Sequence, residues 1–84
     1  MEGIRLYPNP VNGAEVTISL PEKAKQDLPV TLFDGQGRST MSTSIPKGNA
    51  QHVVTTSNLV NGLYIVEIET EKGRFVRKKI MVMH

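Results

Sequence analysis

Apolar and polar residues alternate along most of this chain, and turn-forming residues interrupt the alternation at short intervals. Val16, Ile18 and Leu20 interleave with Glu15, Thr17 and Ser19, and Val30 and Leu32 alternate with Thr31 and Phe33. Side chains on a strand point to opposite faces in turn, so a period of two predicts strands with one face against a core. Ile4–Tyr7 and Glu15–Leu20 are the first extended segments, a weak polar strand is predicted over Ser39–Ile45, and a short one surrounds Val53 and Val54. The strongest pattern runs over Leu63–Thr70 and is followed by Phe75–Val82. Turns are predicted at Asp34–Arg38, Pro46–Asn49, Ser57-Asn58 and Glu71–Gly73. Only Glu22–Asp27 offers a helical turn, and it is too short to stand alone. About seven strands at a spacing of about twelve residues predict an all-β fold, a small antiparallel immunoglobulin- or fibronectin-like sandwich. Residues 1–84 read as one such domain.

The densest cluster of breakers is Tyr7-Pro8-Asn9-Pro10-Val11-Asn12-Gly13. Proline fixes its own φ and pushes the preceding residue toward extended backbone, which keeps Tyr7 and Asn9 out of the helical region. Asn12-Gly13 then offers two residues tolerant of positive φ, as a tight reversal requires. The expected role of this front turn, residues 7–13, is to end one strand and launch the next.

The final hairpin, residues 62–82, allows its register to be predicted. A three-residue loop with Gly73 in the left-handed position sets Thr70 opposite Arg74 and Ile68 opposite Val76. Tyr64, Val66, Ile68, Val76 and Ile80 then share the core face, and Glu67 meets Arg77 on the outer face. Lys78 breaks the scheme because it faces the core opposite Val66. A bulge at Arg77-Lys78 that turns it outward is the expected resolution, ahead of a lysine that snorkels from an open edge. Leu63, Ile65 and Met81 fall together on the outer face and are expected to be covered by a neighbouring strand or loop. Left bare beside Arg77 and Lys79, they would form a docking surface. Just before this hairpin, Leu59-Val60-Asn61-Gly62-Leu63-Tyr64 has the form of a tyrosine corner, in which the phenol bonds back to upstream backbone.

Composition narrows the function. A chain of 84 residues buries roughly 60–65% of its unfolded surface, which leaves little material for a deep cleft. It has no cysteine, so neither a disulfide framework nor a thiolate metal site is available. No apolar run approaches the roughly 18–20 residues of a membrane helix, and Met1-Glu2-Gly3 is no signal peptide. The net charge of +2 is mild for a nucleic-acid module. Half of the ten basic residues, Lys72, Arg74, Arg77, Lys78 and Lys79, follow directly on Glu67, Glu69 and Glu71. That arrangement reads as a charge-paired hairpin.

Catalysis finds no support. The only histidines are His52 and His84, so no nucleophile has an evident base. Glu67, Glu69 and Glu71 stand about 7 Å apart along one strand face, and the adjacent basic strand neutralises them as a carboxylate pair. Asp34 lacks the further acidic ligands of a calcium loop. Tyr7, Phe33, Tyr64 and Phe75 are the only aromatics, with at least two expected to be buried, too few for a sugar-stacking face. The expectation is a non-enzyme with no cofactor, metal, small-molecule substrate or nucleic-acid partner.

Four pieces stand in order along the chain: "LYPNPVNG", "VTLFDGQGR", "LVNGLYIVEI" and "GRFVRKKIMV". Together they resemble the C-terminal sorting domain of the type IX (Por) secretion system, in the type A class found on cargo of Bacteroidetes-type bacteria. The resemblance covers about Ile4 to Val82. Tyr7, Pro8, Asn9 and Pro10 match the family's opening Tyr-Pro-Asn-Pro, and Asp34, Gly37 and Arg38 its Asp-x-x-Gly-Arg/Lys turn. Gly62, Leu63 and Tyr64 match its Gly-x-Tyr strand entry, after Leu59, and Lys78 or Lys79 its basic residue before the apolar end. The ending Met83-His84 departs from the family's usual stop within or just after the apolar strand.

The resemblance implies an address for export. Cargo of this kind enters the periplasm by an ordinary N-terminal signal, and its folded C-terminal domain is recognised by the outer-membrane translocon with its shuttle and sortase proteins. A surface sortase then removes the domain and joins the cargo to anionic lipopolysaccharide, at the cell surface or outside it. Cleavage is expected near or before Met1, with this chain as the released signal. Recognition is expected on the final hairpin at Arg77, Lys78, Lys79, Ile80 and Val82, with Gly62 and Tyr64 holding the neighbouring strand. Exposed sheet edges also offer a route to a dimer. The alternative is a fibronectin-like spacer or adhesion module of a secreted bacterial enzyme. The chain's stop two residues after an apolar strand favours the sorting domain.

Overall fold

The computed structural model describes residues 2–84. They form seven strands and no helix: β1 (Arg5–Tyr7), β2 (Glu15–Ser19), β3 (Leu28–Asp34), β4 (Ser39–Ile45), β5 (Gln51–Thr55), β6 (Gly62–Glu71) and β7 (Arg74–Val82). Two antiparallel sheets result, one ordered β1-β2-β5 and the other β4-β3-β6-β7. This is the all-β sandwich that the alternating pattern predicts. Residues 22–27, the one stretch with a helical option, contain only bends. Ala24 is buried there, and its N–H and C=O bond to Asn49 and Gly48.

Every strand of the core contributes its alternate residues. Val16 and Ile18 from β2 face Val30 and Leu32 from β3, Ile45 from β4, and Val66, Ile68, Ile80 and Val82 from the last hairpin, all at most 1% exposed. Complete burial of such side chains stabilises by about 1.5–3 kcal/mol each, which is what holds a cysteine-free domain of this size together. Thr56 is the most deeply buried polar residue. Its N–H bonds the Ala14 carbonyl at 2.7 Å and its hydroxyl approaches the Gly13 carbonyl at 3.5 Å, so burial leaves neither group unpaired.

Two local expectations are corrected. Asn12-Gly13 makes no tight reversal, since neither residue has positive φ, and the bonds Tyr7-Pro8 and Asn9-Pro10 are both cis. The chain instead runs out to the far sheet, where Val11 forms a parallel bridge with Val82, and only then enters β2. In the last hairpin Ile68 does pair with Val76, but Arg74 pairs with Glu71, and Thr70 is the extra residue of a bulge. Gly73 sits at φ +81, where a side chain would be strained, so it does hold the left-handed position.

Candidate functional site

Two hydrogen-bonded corners flank the entry to β6. Tyr64 is buried, and its hydroxyl donates to the Val60 carbonyl at 2.6 Å, so the tyrosine corner is formed. Across from it, Asp34 closes the β3–β4 turn. Its Oδ1 accepts from the N–H groups of Gln36 (2.9 Å) and Arg38 (3.0 Å), and its Oδ2 from Arg38 Nε at 3.0 Å. The Arg38 N–H, more than any other group, holds the Asp34 carboxyl below its ordinary value; partial burial opposes it, and the Gln36 N–H and the Arg38 guanidinium add to it. Gly37 occupies φ +83 in this turn, which explains the glycine before the arginine.

The sheet position of β7 decides what its residues can do. It pairs with β6 on one side and, among the described residues, with no strand on the other. Antiparallel pairing directs alternate residues' N–H and C=O groups away from the partner, here those of Phe75, Arg77, Lys79 and Met81. At the C-terminal end these groups are capped by the front turn. Asn9 Nδ2 donates to the Lys79 carbonyl and Asn9 Oδ1 accepts from the Met81 N–H, each at 3.1 Å. The Val11 N–H then bonds the Met81 carbonyl at 2.7 Å, and the Val11 carbonyl accepts from the Met83 N–H at 2.9 Å. The Asn9 carboxamide thus stands in for a peptide group of a fifth strand. Beyond it the edge is open: the polar backbone groups of Phe75 and Arg77, and the Lys79 N–H, meet no strand.

Lys78 pairs directly with Val66, with no bulge at Arg77-Lys78. The expected bulge is absent because the core does not extend that far. Val76 is half-buried and Lys78 exposed, so this inward-facing position already reaches solvent at the sheet margin. Ile80 and Val82, two and four residues on, are 1% and 0% exposed. Of the five residues assigned to recognition from the sequence, Arg77, Lys78 and Lys79 are exposed, whereas Ile80 and Val82 belong to the core.

The outer face of the larger sheet is not covered as expected. Leu63 and Met81 are 41% and 37% exposed and pair with each other, and Ile65 beside them is half-buried. A shallow cavity of about 430 Å³ opens here, lined by Phe33, Gly35, Leu63, Ile65 and the Glu67–Arg77 pair. The smaller sheet packs on the opposite face, and among the described residues no strand covers this one. Of the four aromatics Tyr64 is buried, Phe33 half-buried, and Tyr7 and Phe75 are 43% and 45% exposed.

The charges of the hairpin are mostly paired within it. Arg77 Nε donates to Glu67 Oε2 at 2.8 Å, and its guanidinium lies 5.7 Å from the Phe75 ring centre. Glu69 accepts from the Gly73 N–H at 3.0 Å, and Arg74 stands 3.8 Å from Glu71. The three carboxylates are therefore occupied by the turn and the neighbouring strand. Among the described residues no cluster of three potential ligands is placed to hold a metal. His52 Nε2 lies 3.4 Å from the Thr43 hydroxyl, linking β5 to β4 between the sheets, while His84 Nε2 is 2.7 Å from the Leu59 carbonyl. The His84 N–H also donates to Asn61 Oδ1 at 2.9 Å, which anchors the residues beyond β7 to the loop before β6.

Of the front segment, Asn9 and then Val11 are thus joined to the final strand, a contact that sequence reasoning did not anticipate, whereas Tyr7 pairs with Thr17 of β2 and its hydroxyl accepts from Gln51. The signal available was the lone polar side chain between two prolines, and it gave no hint of a partner some seventy positions away. Leu59, Gly62 and Tyr64 do come together at the corner, and Asp34, Gly37 and Arg38 at the turn. Residues 5–83 match the model of a protein family described as a secretion system C-terminal sorting domain. No curated protein matches the chain.

Proposed function

The chain belongs to the family of secretion system C-terminal sorting domains, the type IX sorting signals, and from that premise we propose how it serves as an address. Such a domain is a sorting signal for export to the cell surface or extracellular space, it interacts with the type IX machinery, and it is not a catalytic family. The observation that carries the reading is the family match over residues 5–83 of 84. In the proposed sequence of events, the folded domain, residues 1–84 as a unit, passes the periplasm on its cargo. The outer-membrane translocon and its shuttle protein recognise it there. A surface sortase then cleaves upstream of β1 and transfers the cargo to anionic lipopolysaccharide.

Within the domain, we assign recognition to the final hairpin. Arg77, Lys78 and Lys79 are the exposed cations of β7, available for direct contact with a partner. Ile80 and Val82 act through the core, fixing the strand on which those cations stand. The corner at Leu59, Gly62 and Tyr64 and the turn at Asp34, Gly37 and Arg38 hold the two strands inside β7. Asn9 and Val11 brace its outer edge.

The test is a fusion of residues 1–84 to the C-terminus of a periplasm-directed fluorescent protein, expressed in a type IX-competent bacterium. Surface or medium fluorescence that disappears in a translocon-deficient strain is the expected result. A folded fusion that stays in the periplasm would leave a fibronectin-like spacer or adhesion module as the better account. In the same assay Lys78→Ala with Lys79→Ala should reduce export while the thermal midpoint stays within a few degrees. Undiminished export of that variant removes the assignment to the hairpin cations and leaves the address reading intact.

A further inference from the structure

The edge of β7 is divided in a way that selects its partner. From Lys79 to Met83 it is bonded to Asn9 and Val11. From Phe75 to Lys79 it presents unpaired backbone groups, with both strand faces accessible. An extended segment laid along this stretch would gain main-chain hydrogen bonds, the usual basis of strand addition.

Charge decides what kind of segment fits. Lys78 on the inner face and Lys79 on the outer face have no carboxylate within ion-pair distance among the described residues, whereas Arg77 and Arg74 have one each. A second copy docking β7 against β7 would bring Arg77, Lys78 and Lys79 against their own equivalents, a destabilising arrangement of like charges. The opposite edge of the same sheet, β4, reads Ser-Thr-Met-Ser-Thr-Ser-Ile and carries no charge, so pairing it with β7 of another copy would leave both lysines uncompensated. Edge lysines and inward-pointing charges also deter unselective aggregation. The same two side chains that repel a copy attract an acidic strand.

We propose that the Phe75–Lys79 edge of β7 is a strand-addition site for an extended acidic segment of another protein, and that the Asn9–Val11 brace confines the addition to that stretch. The segment would set acidic residues beside Arg77 and Lys79 on one face and, on the other, an aliphatic residue beside Val76 and an acidic one beside Lys78. The proposal rests on the sorting-address reading only for its biological use; the edge chemistry stands independently.

The experiment uses the 15N-labelled chain and amide hydrogen exchange. The probe is a capped octapeptide, Thr-Glu-Glu-Glu-Val-Glu-Val-Thr, which in antiparallel register sets Glu beside Arg77, Lys78 and Lys79 and Val beside Val76, and the control carries Lys in place of each Glu. Expected is at least tenfold slower exchange of the Phe75, Arg77 and Lys79 amides at saturating acidic peptide. The Val76 and Lys78 amides, which bond β6, should be unchanged, and the control should have no effect. Lys78→Glu with Lys79→Glu should weaken binding of the acidic peptide at least tenfold, and added salt should weaken it in the wild type. Three outcomes overturn the proposal. One is no protection at millimolar peptide, and another is shifted lysine signals with the three amides exchanging at their free rates. The third is concentration-dependent protection of the same amides without peptide, which would make a second copy the occupant. Translocon-dependent export with no protection would remove the edge site alone. Protection without export would remove the address reading alone.

Discussion

The two ends of β7 share one strand, one neighbour and one alternating pattern, yet they differ in almost every physical respect. Toward the C-terminus, Ile80 and Val82 are sealed in the core and the outer edge is bonded to Asn9 and Val11. Toward the hairpin tip, Val76 is half-buried, Lys78 points inward yet reaches water, and the edge is bare. The difference lies in the neighbours. The smaller sheet and the front turn cover one end, while the other extends past them. A strand can therefore be core at one end and open edge at the other, with no change in its own period.

That contrast can be broken most forcefully by truncating equivalent core-face residues. Ile80→Ala should cost about 2–5 kcal/mol because it leaves a cavity in packed surroundings. Val76→Ala should cost about 1 kcal/mol or less, since its site is already partly in water. Chemical denaturation of both variants measures the gap through the midpoint at unchanged slope. Equal losses would mean that the two halves are packed alike.

The edge is tested separately by Asn9→Ala. Removal of two exposed hydrogen bonds should cost about 1 kcal/mol. The sharper readout is local: the Met81 amide should exchange faster, and the Arg77 amide, already open, should not change. Accelerated exchange at both would show that the brace supports the whole strand.

The corners beside the hairpin give smaller effects. Asp34 is held below its ordinary carboxylate value in the fold, chiefly by the Arg38 N–H. Its contribution is present in full above the unfolded value, near 4, and is lost as pH falls through the lower folded value. Asp34→Asn should therefore lower stability at neutral pH and flatten the acid limb of the stability profile below about pH 4. An acid limb identical to wild type would show that Asp34 has no part in it. Smallest of all is the outer-face pair at the junction of the two halves. A double-mutant cycle with Glu67→Gln and Arg77→Gln should give a coupling of a few tenths of a kcal/mol, shrinking with salt.

Much of this architecture is legible in the chain. The period-two segments mark all seven strands, because burial of one strand face requires the alternation. The tyrosine corner and the Asp34–Arg38 turn are legible too, since each closes over four residues or fewer and depends on local spacing. The same holds for Ile68 opposite Val76 and Glu67 opposite Arg77, which a short hairpin loop constrains.

Three features required the assembled molecule. Lys78 violates the pattern, and a bulge is the local remedy that sequence suggests. The actual remedy is that this end of β7 runs past the core, so that Val76 is half-buried and Lys78 exposed, which only the packing of two sheets determines. The bare outer face of Leu63, Ile65 and Met81 follows from the two-layer arrangement, in which the smaller sheet packs on the other face. The partnership of Asn9 with β7 spans most of the chain, and no local propensity encodes a contact between segments so far apart. The chain by itself determined which residues form strands and, at Asp34–Arg38 and Gly73 though not at Asn12-Gly13, which close turns, because those depend on alternation and on backbone preferences a few residues long. Only the tertiary structure decided which end of the last strand is sealed and which is left open, because an edge is defined by the neighbours it has.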